Sequence, residues 1–133
     1  MIKIVLDTNI VVSALLNPYG PSHQILALVL SRDIMLCLDG RIWYEYKEVL
    51  LRDKFDFDPG AVEDLLSFFD AESFQVTAKP LAFKCADFSD TKFLEVAIAA
   101  QAGYLITGNL KHYPSHVKDL KIISPSRFLT IYK

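Results

Sequence analysis

The chain has 133 residues, a length that fits one domain with a sizeable apolar core. Hydrophobic residues make up 52% and charged residues 23%, without repeats or low-complexity tracts, which excludes disordered and solenoid proteins. The formal net charge of −2 excludes the global attraction to polyanions that basic nucleic-acid-binding proteins use. Any binding of nucleic acid must therefore depend on local charge.

The two cysteines, Cys37 and Cys85, indicate neither a disulfide framework nor a zinc site. A reducing compartment, the cytoplasm, is therefore expected. The apolar stretch from Met1 to Leu16 is interrupted by Asp7 and lacks a cleavage pattern, so we interpret it as core rather than signal peptide. Apolar runs stay below the roughly 18 residues that a membrane span requires, and no membrane partner is expected.

Predicted strands and helices alternate along the chain. Short apolar runs predict strands at residues 2–6, 34–38, 74–76, 104–106 and 121–123. Helical spacing predicts helices at residues 9–16, 22–30, 41–52, from 58 onward, 90–102 and from 124 onward. Gly103 is expected just past the fifth of these helices. Because parallel neighbours need a helical crossover, this order predicts a three-layer α/β/α sandwich, whose ligands bind beyond the carboxyl ends of the strands.

Two carboxylates stand at positions that are expected to be buried, where a negative charge needs a compensating partner. Asp7 directly follows the first apolar strand, so it either caps the helix that begins near Asn9 or serves as a ligand for a cation. Glu45 falls inside the apolar stripe of its helix, whereas Glu48 points elsewhere. Glu45 is then either a core acid bonded to an arginine or a ligand directed at the sheet edge.

Polar groups of two further segments are expected at the same edge. Asp90 opens a helix after a long polar loop and is either its cap, a role that Ser89 could also take, or a ligand. Asp87 is either an outer acid of the site or a solvated turn residue. Thr107 and Asn109 follow the fourth strand, which adds a hydroxyl and an amide.

Such a convergence of acids indicates metal chemistry. Carboxylates at one edge would repel one another unless a cation neutralised them. Carboxylate oxygens and water are the ligands that Mg²⁺ or Mn²⁺ prefers, and such sites leave room for substrate phosphates. The pattern therefore predicts metal-dependent phosphodiester hydrolysis. A phosphatase of the haloacid dehalogenase type is disfavoured, since Asn9 stands where that chemistry needs a second aspartate.

Four segments resemble the PIN-domain family, in particular the VapC-like toxins of toxin-antitoxin systems. They are Val5-Leu6-Asp7-Thr8-Asn9 with Ser13, then Glu45, then Asp87-Phe88-Ser89-Asp90-Thr91-Lys92-Phe93-Leu94-Glu95, and finally Leu105-Ile106-Thr107-Gly108-Asn109. Their order, spacing and strand–helix context together span roughly residues 1–115. No single segment is specific, and the resemblance depends on all four.

The resemblance implies one PIN domain over residues 1–133, with a five-stranded parallel sheet of order 3-2-1-4-5. It implies a Mg²⁺- or Mn²⁺-dependent endoribonuclease that acts on RNA as the toxin of a toxin-antitoxin pair. A small antitoxin protein is then the expected partner, and a homodimer is compatible with the family.

The resemblance also implies roles for particular side chains. The catalytic and metal-binding acids are Asp7, Glu45 and Asp90, with Asn109 as a further metal ligand. Residues expected to support them or to contact substrate are Asn9, Ser13, Asp87, Lys92 and Thr107. Many family members carry an aspartate where this chain has Asn109, so one charge is missing, the second-metal site is in doubt and metal affinity is expected to be weaker.

Local positive charge and aromatic rings remain open to two interpretations. The residues that flank the edge and either hold phosphates or are ordinary surface groups are Lys92, Lys111, His112 and Arg41. Trp43 and Tyr44 either stack on a base or belong to the core or an interface. The competing function is a catalytically weak or silent PIN module that binds RNA or a partner protein, which metal dependence of cleavage would distinguish.

Overall fold

A computed structural model describes residues 1–81 and 88–133. The helices are Thr8–Leu16 (α1), Pro21–Leu30 (α2), Gly40–Leu50 (α3), Pro59–Glu72 (α4), Thr91–Ala99 (α5) and Pro125–Tyr132 (α6). The strands are Lys3–Leu6 (β1), Met35–Leu38 (β2), Phe74–Gln75 (β3), Tyr104–Ile106 (β4), His116–Val117 (β5) and Leu120–Ile123 (β6). Single 3-10 turns occupy Asp53–Phe55, Phe88–Asp90 and Leu110–His112.

The strands form one sheet of order β3-β2-β1-β4-β6-β5. β1 lies between β2 and β4 and is parallel to both, and β6 is parallel to β4. Since β6 is the predicted fifth strand, the predicted order of the parallel strands and the α/β class are confirmed. The carboxyl ends of β1 and β4 therefore meet at one edge of the sheet, where the candidate residues were expected.

One feature of the sheet was predicted wrongly, because over residues 1–81 and 88–133 it has six strands rather than five and is not wholly parallel. β5 is antiparallel to β6, with Val117 paired to Leu120 across a two-residue turn. Lys118 takes the left-handed conformation that this turn needs, with φ of 53°. A two-residue strand followed by a lysine instead of glycine or asparagine gives no recognisable hairpin signal in the sequence.

The apolar core lies on both faces of the central strands. Ile4 and Val5 of β1 and Leu105 and Ile106 of β4 are all fully buried, as expected for strands covered by helices on both sides. The N-terminal apolar stretch is thus core structure, as predicted. Within the described ranges, the helices are too short or too polar to cross a lipid bilayer.

The end of α5 differs from the prediction. The helix stops at Ala99 rather than at residue 102, and Gln101 takes the left-handed conformation with φ of 54°. The expectation that Gly103 ends the helix was wrong, because its N–H donates instead to the carbonyl of Lys3, at 3.0 Å. Non-glycine residues can adopt this conformation at a modest cost, so composition alone did not locate the helix end.

The buried Cys37 lies in the middle of β2 and forms no disulfide. Burial raises the pKa of its thiol to about 11, although the positive charge of Lys3 acts in the opposite direction. The reactive thiolate is therefore roughly a hundredfold scarcer at pH 8 than in an exposed cysteine. We expect iodoacetamide to modify Cys37 at least about a hundredfold more slowly in the native chain than in urea, as measured by mass spectrometry of its peptide. Comparable rates would show that β2 is accessible.

Candidate active site at the carboxyl edge of the sheet

Asp7 follows β1 directly and is only 3% exposed. One carboxylate oxygen, Oδ1, accepts from the backbone N–H of Asn9 at 3.3 Å and so caps α1. The other, Oδ2, accepts from the hydroxyls of Thr107 at 2.9 Å and Tyr113 at 3.3 Å. Asp7 therefore caps a helix and also faces the polar edge, and three donors compensate its buried charge.

A buried tyrosine fixes the strand end that presents Asp7. The hydroxyl of Tyr46, on α3, donates to the carbonyl of Leu6 at 2.6 Å. Burial, and then the negative charge of Asp7, raises the pKa of Tyr46 well above its ordinary value. The phenol thus stays protonated and remains a donor, which ties α3 to the carboxyl end of β1.

Glu45 lies on the same helix and reaches the edge from the other side. Its Oε2 accepts from the hydroxyl of Thr8, and its Oε1 lies 2.6 Å from Nζ of Lys92. Lys92 also donates to the carbonyl of Ser89. Glu45 is therefore not an arginine-bonded core acid. It is a partly exposed acid at the sheet edge, and its partner is a lysine of α5.

Asp90 lies at the start of α5, but its side chain makes no capping hydrogen bond there. Its Oδ2 lies 2.9 Å from Nδ1 of His112, which comes from the 3-10 turn after β4. The Asp90 side chain is 14% exposed, and that of His112 is 40% exposed. The carboxylate is thus directed towards the segment that follows β4 rather than towards its own helix.

These side chains share an open cleft of about 230 Å³. Its lining residues are Asp7, Thr8, Asn9, Glu45, Val49, Arg52, Lys54, Phe55, Ser89, Asp90, Asn109 and His112. All three predicted catalytic acids and the predicted amide ligand therefore line one cleft. By donor type, their carboxylate and amide oxygens suit a hard divalent cation.

The remaining predicted site residues differ in where they lie relative to the cleft. Thr107 is fully buried beneath the cleft, where it bonds to Asp7. Ser13 is exposed on α1 and does not line the cleft. Asp87 lies outside the described residues. Among the residues that the structure describes, no three acids, histidines or cysteines are close enough together to hold one metal ion.

Protein groups compensate part of the charge of all three acids, which the sequence did not predict. Asp7 has two hydroxyl partners, Glu45 has Lys92, and Asp90 has His112. A metal ion would therefore compete with these partners rather than enter a preformed cage of bare carboxylates. The sequence did not single out Tyr113, which is separated from Asp7 by more than a hundred residues of chain.

Glu95, a fourth acid, lies on α5 and has a different environment from the three acids of the cleft. Glu95 is 6% exposed and accepts from Nη1 of Arg41 at 2.7 Å and from the backbone N–H of Leu81 at 3.0 Å. Arg41 also pairs with Asp39 at 2.8 Å. Partial desolvation would lower the pKa of Arg41, but its hydrogen bonds to Glu95 and Asp39 raise the pKa overall. Arg41 thus forms ion pairs within the fold with Glu95 and Asp39.

The two aromatic candidates, Trp43 and Tyr44, have different environments. Nε1 of Trp43 donates to the carbonyl of Leu66 at 2.9 Å, and the ring packs against the core, so the structural interpretation of Trp43 is confirmed. Tyr44 is 68% exposed and, like Lys111, does not line the cleft. Phe55 does line the cleft, and the sequence did not single it out.

The chain is similar to known proteins in sequence and in structure. An uncharacterized protein of Methanocaldococcus jannaschii is 29% identical over 140 residues, covering 96% of this chain and 90% of that protein. The crystal structure of VapBC2 from Rickettsia felis, bound to a DNA fragment from their promoter, is similar with a TM-score of 0.58. Its sequence identity is 18% over 92% of this chain and 98% of that chain, a likeness that shows the fold alone. Residues 3–111 match the PIN domain, and the chain belongs to the PIN-domain family.

Proposed function

We propose that the chain is a metal-dependent ribonuclease that hydrolyses phosphodiester bonds in RNA, acting as the toxin of a toxin-antitoxin pair. The observation that carries this proposal is the cleft shared by Asp7, Glu45 and Asp90. The three acids come from three separate elements, and all face the sheet edge where α/β proteins bind ligands. Membership of the PIN-domain family supports nuclease chemistry at this edge.

The residues that would hold Mg²⁺ or Mn²⁺ are Asp7, Glu45, Asp90 and, through its amide oxygen, Asn109. The bound ion would supply an activated water and stabilise charge on the attacked phosphate. Thr107 keeps the orientation of Asp7 through its hydrogen bond of 2.9 Å. Because Asn109 is neutral where an acid would add charge, we expect weaker metal affinity, above all at a second site.

Lys92 has a position that suits a change of partner on metal binding. Its ammonium group lies 2.6 Å from Glu45, so the lysine already neutralises an oxygen that the ion would use. A divalent cation at Glu45 would release Lys92, and the freed ammonium group would be available to a phosphate oxygen. We include Lys92 as a substrate contact on this ground.

Removal of metal gives the test of the proposal. Purified chain with Mn²⁺ is expected to cleave an unstructured, end-labelled RNA. Excess EDTA is expected to reduce the cleavage rate by more than a hundredfold, because the ion supplies several kcal/mol of transition-state stabilisation. Denaturing gels measure the rate, and added Mn²⁺ must restore it. Cleavage that persists at full rate in EDTA would refute the metal-dependent mechanism.

A silent PIN module is the second candidate, and one observation favours it. The described residues contain no ready-made group of three metal-binding side chains, and Asn109 adds no charge. Such a module would bind RNA equally well with and without Mn²⁺ and would leave it intact. The same experiment with and without Mn²⁺ therefore separates the two functions, because only the nuclease shortens the RNA.

We also propose a small antitoxin protein as partner and the cytoplasm as the place of action. One solved structure of similar fold is a VapBC2 complex, and Cys37 stays a free thiol, which suits a reducing compartment. A homodimer is compatible with this proposal. Co-purification of the chain with the product of an adjacent small gene, and loss of cleavage in that complex, would support the pairing.

A further inference from the structure

We propose that Arg52, Lys54 and Phe55 bind single-stranded RNA beside the acids, with the two cations on phosphates and the aromatic ring against a base. We call these three residues the cationic wall. The inference depends on the proposed ribonuclease function and specifies the form of RNA that the cleft accepts. Its basis is that all three side chains line the cleft that contains Asp7.

The cationic wall is built on a closed turn. It follows α3 directly, and Asp53–Phe55 form a 3-10 turn. The N–H of Phe55 donates to the carbonyl of Arg52 at 3.1 Å, and the N–H of Asp56 donates to that of Asp53 at 3.1 Å. Asp56 ends the turn in the left-handed conformation, with φ of 51°. The hydrogen-bonded backbone holds the three side chains at the rim of the cleft, whereas Asp53 and Asp56 do not line it.

The ring of Phe55 has the surroundings of a stacking platform. It lies parallel to the ring of Phe57, with centroids 5.5 Å apart and an angle of 10° between planes. Nζ of Lys54 is 5.1 Å from the centroid of the Phe55 ring. An anchored aromatic ring combined with an adjacent cation is the arrangement with which proteins hold a base and its phosphate in single-stranded nucleic acid.

In the absence of a metal ion, the charges near the cleft favour phosphate binding at the cationic wall. Lys92 is engaged with Glu45, and Arg41 is engaged with Glu95. Lys54, by contrast, makes no ion pair with the residues that the structure describes. Within the part of the chain that the structure describes, the ion-pair partner of Arg52 is Glu48, to which its guanidinium donates at 2.8 to 3.3 Å, and both side chains are well exposed. Such surface pairs are weak, so a phosphate can replace Glu48 at little cost.

The same geometry favours single strands over duplexes. A base can stack on Phe55 only if it has left its own helical stack, which is the usual mode of sequence-tolerant RNA binding. In a duplex, the bases are stacked and paired, so the ring has no partner. The cationic wall therefore selects unpaired RNA, while the acids act on the phosphate next to it.

Fluorescence anisotropy with a labelled, unstructured 12-nucleotide RNA tests the inference, in EDTA and again in Ca²⁺. The variants are Lys54→Met, Arg52→Met and Phe55→Leu, with Lys47→Met as control, because Lys47 is exposed on α3 but does not line the cleft. Phe55→Leu is expected to weaken binding by roughly 5- to 10-fold. Each lost cation is expected to reduce the salt dependence of binding by about 0.7 in the log–log slope.

The outcomes separate this inference from the ribonuclease proposal. Equal affinity of wild-type and wall variants, or no measurable binding by folded wild-type chain in either buffer, overturns the cationic wall. Cleavage of RNA with Mn²⁺ in that case leaves the ribonuclease proposal standing. Weakened binding in the wall variants but not in Lys47→Met supports the wall, even if the chain cleaves nothing. Thermal unfolding of each variant checks that the fold is retained.

Discussion

The substitution Asp7→Ala is expected to abolish Mn²⁺-dependent RNA cleavage, reducing the rate by about a thousandfold or more. The carboxylate lies at the centre of the proposed site, and loss of a metal ligand removes several kcal/mol of transition-state stabilisation, at 1.36 kcal/mol for each factor of ten. Quantified denaturing gels under single-turnover conditions measure the loss. An unchanged rate from a clean preparation would remove the central assignment.

Asp7→Ala also disturbs the fold, so a milder variant is needed. The change removes the cap of α1, which costs about 1 kcal/mol, and it leaves the hydroxyls of Thr107 and Tyr113 without their acceptor. Asp7→Asn removes the charge but keeps one side-chain oxygen to accept from the N–H of Asn9, and its NH2 group can donate to the hydroxyl oxygens of Thr107 and Tyr113. We expect Asp7→Asn to melt near the wild-type temperature and still to lose cleavage. The matched control is Asp70→Asn, an exposed position on α4, which is expected to cleave normally.

The elements of the fold were predictable where local pattern and tertiary context agree. The apolar run that becomes β1 and the aspartate that follows it marked a buried strand and its polar edge, and both are present. Ser124 and Asp58 cap the helices that they were expected to open. These signals lie within a few residues of one another, so one sequence suffices to recognise them.

The contacts within the cleft could not be predicted in the same way. The pairing of Glu45 with Lys92 joins residues that are distant in the chain, and nothing in either local sequence specifies the other. Tyr113 reaches Asp7 from a loop with no periodic pattern. The cationic wall was missed because a lysine and a phenylalanine in an exposed turn are common, and only the fold places them beside the acids.

Glu95 is different, because a signal for its burial was present in the sequence. It stands between Phe93, Leu94, Val96 and Ala97, all of which are fully buried. An acid inside such a run must have a partner. That partner, Arg41, was interpreted instead as a candidate for phosphate binding. Considering the two residues together would have predicted a structural ion pair.

Glu95→Ala is accordingly expected to destabilise the fold by about 2–4 kcal/mol without a specific effect on catalysis. The change leaves the N–H of Leu81 and one donor of Arg41 without their carboxylate acceptor. Urea denaturation followed by circular dichroism measures the free energy of unfolding. Glu63→Ala, at an exposed position on α4, serves as control and is expected to lie within about 0.5 kcal/mol of wild type.

The companion variant Arg41→Met is expected to lower the free energy of unfolding by less than Glu95→Ala does. The reason is that the Arg41 side chain is 48% exposed and that Glu95 keeps its hydrogen bond from Leu81. A double-mutant cycle isolates the coupling between the two side chains. If Glu95→Ala costs no more than Glu63→Ala, the ion pair is not structural. RNA cleavage per folded molecule should stay at the wild-type rate in Glu95→Ala, in contrast to Asp7→Asn. That difference separates an acid that supports the fold from an acid that lines the cleft.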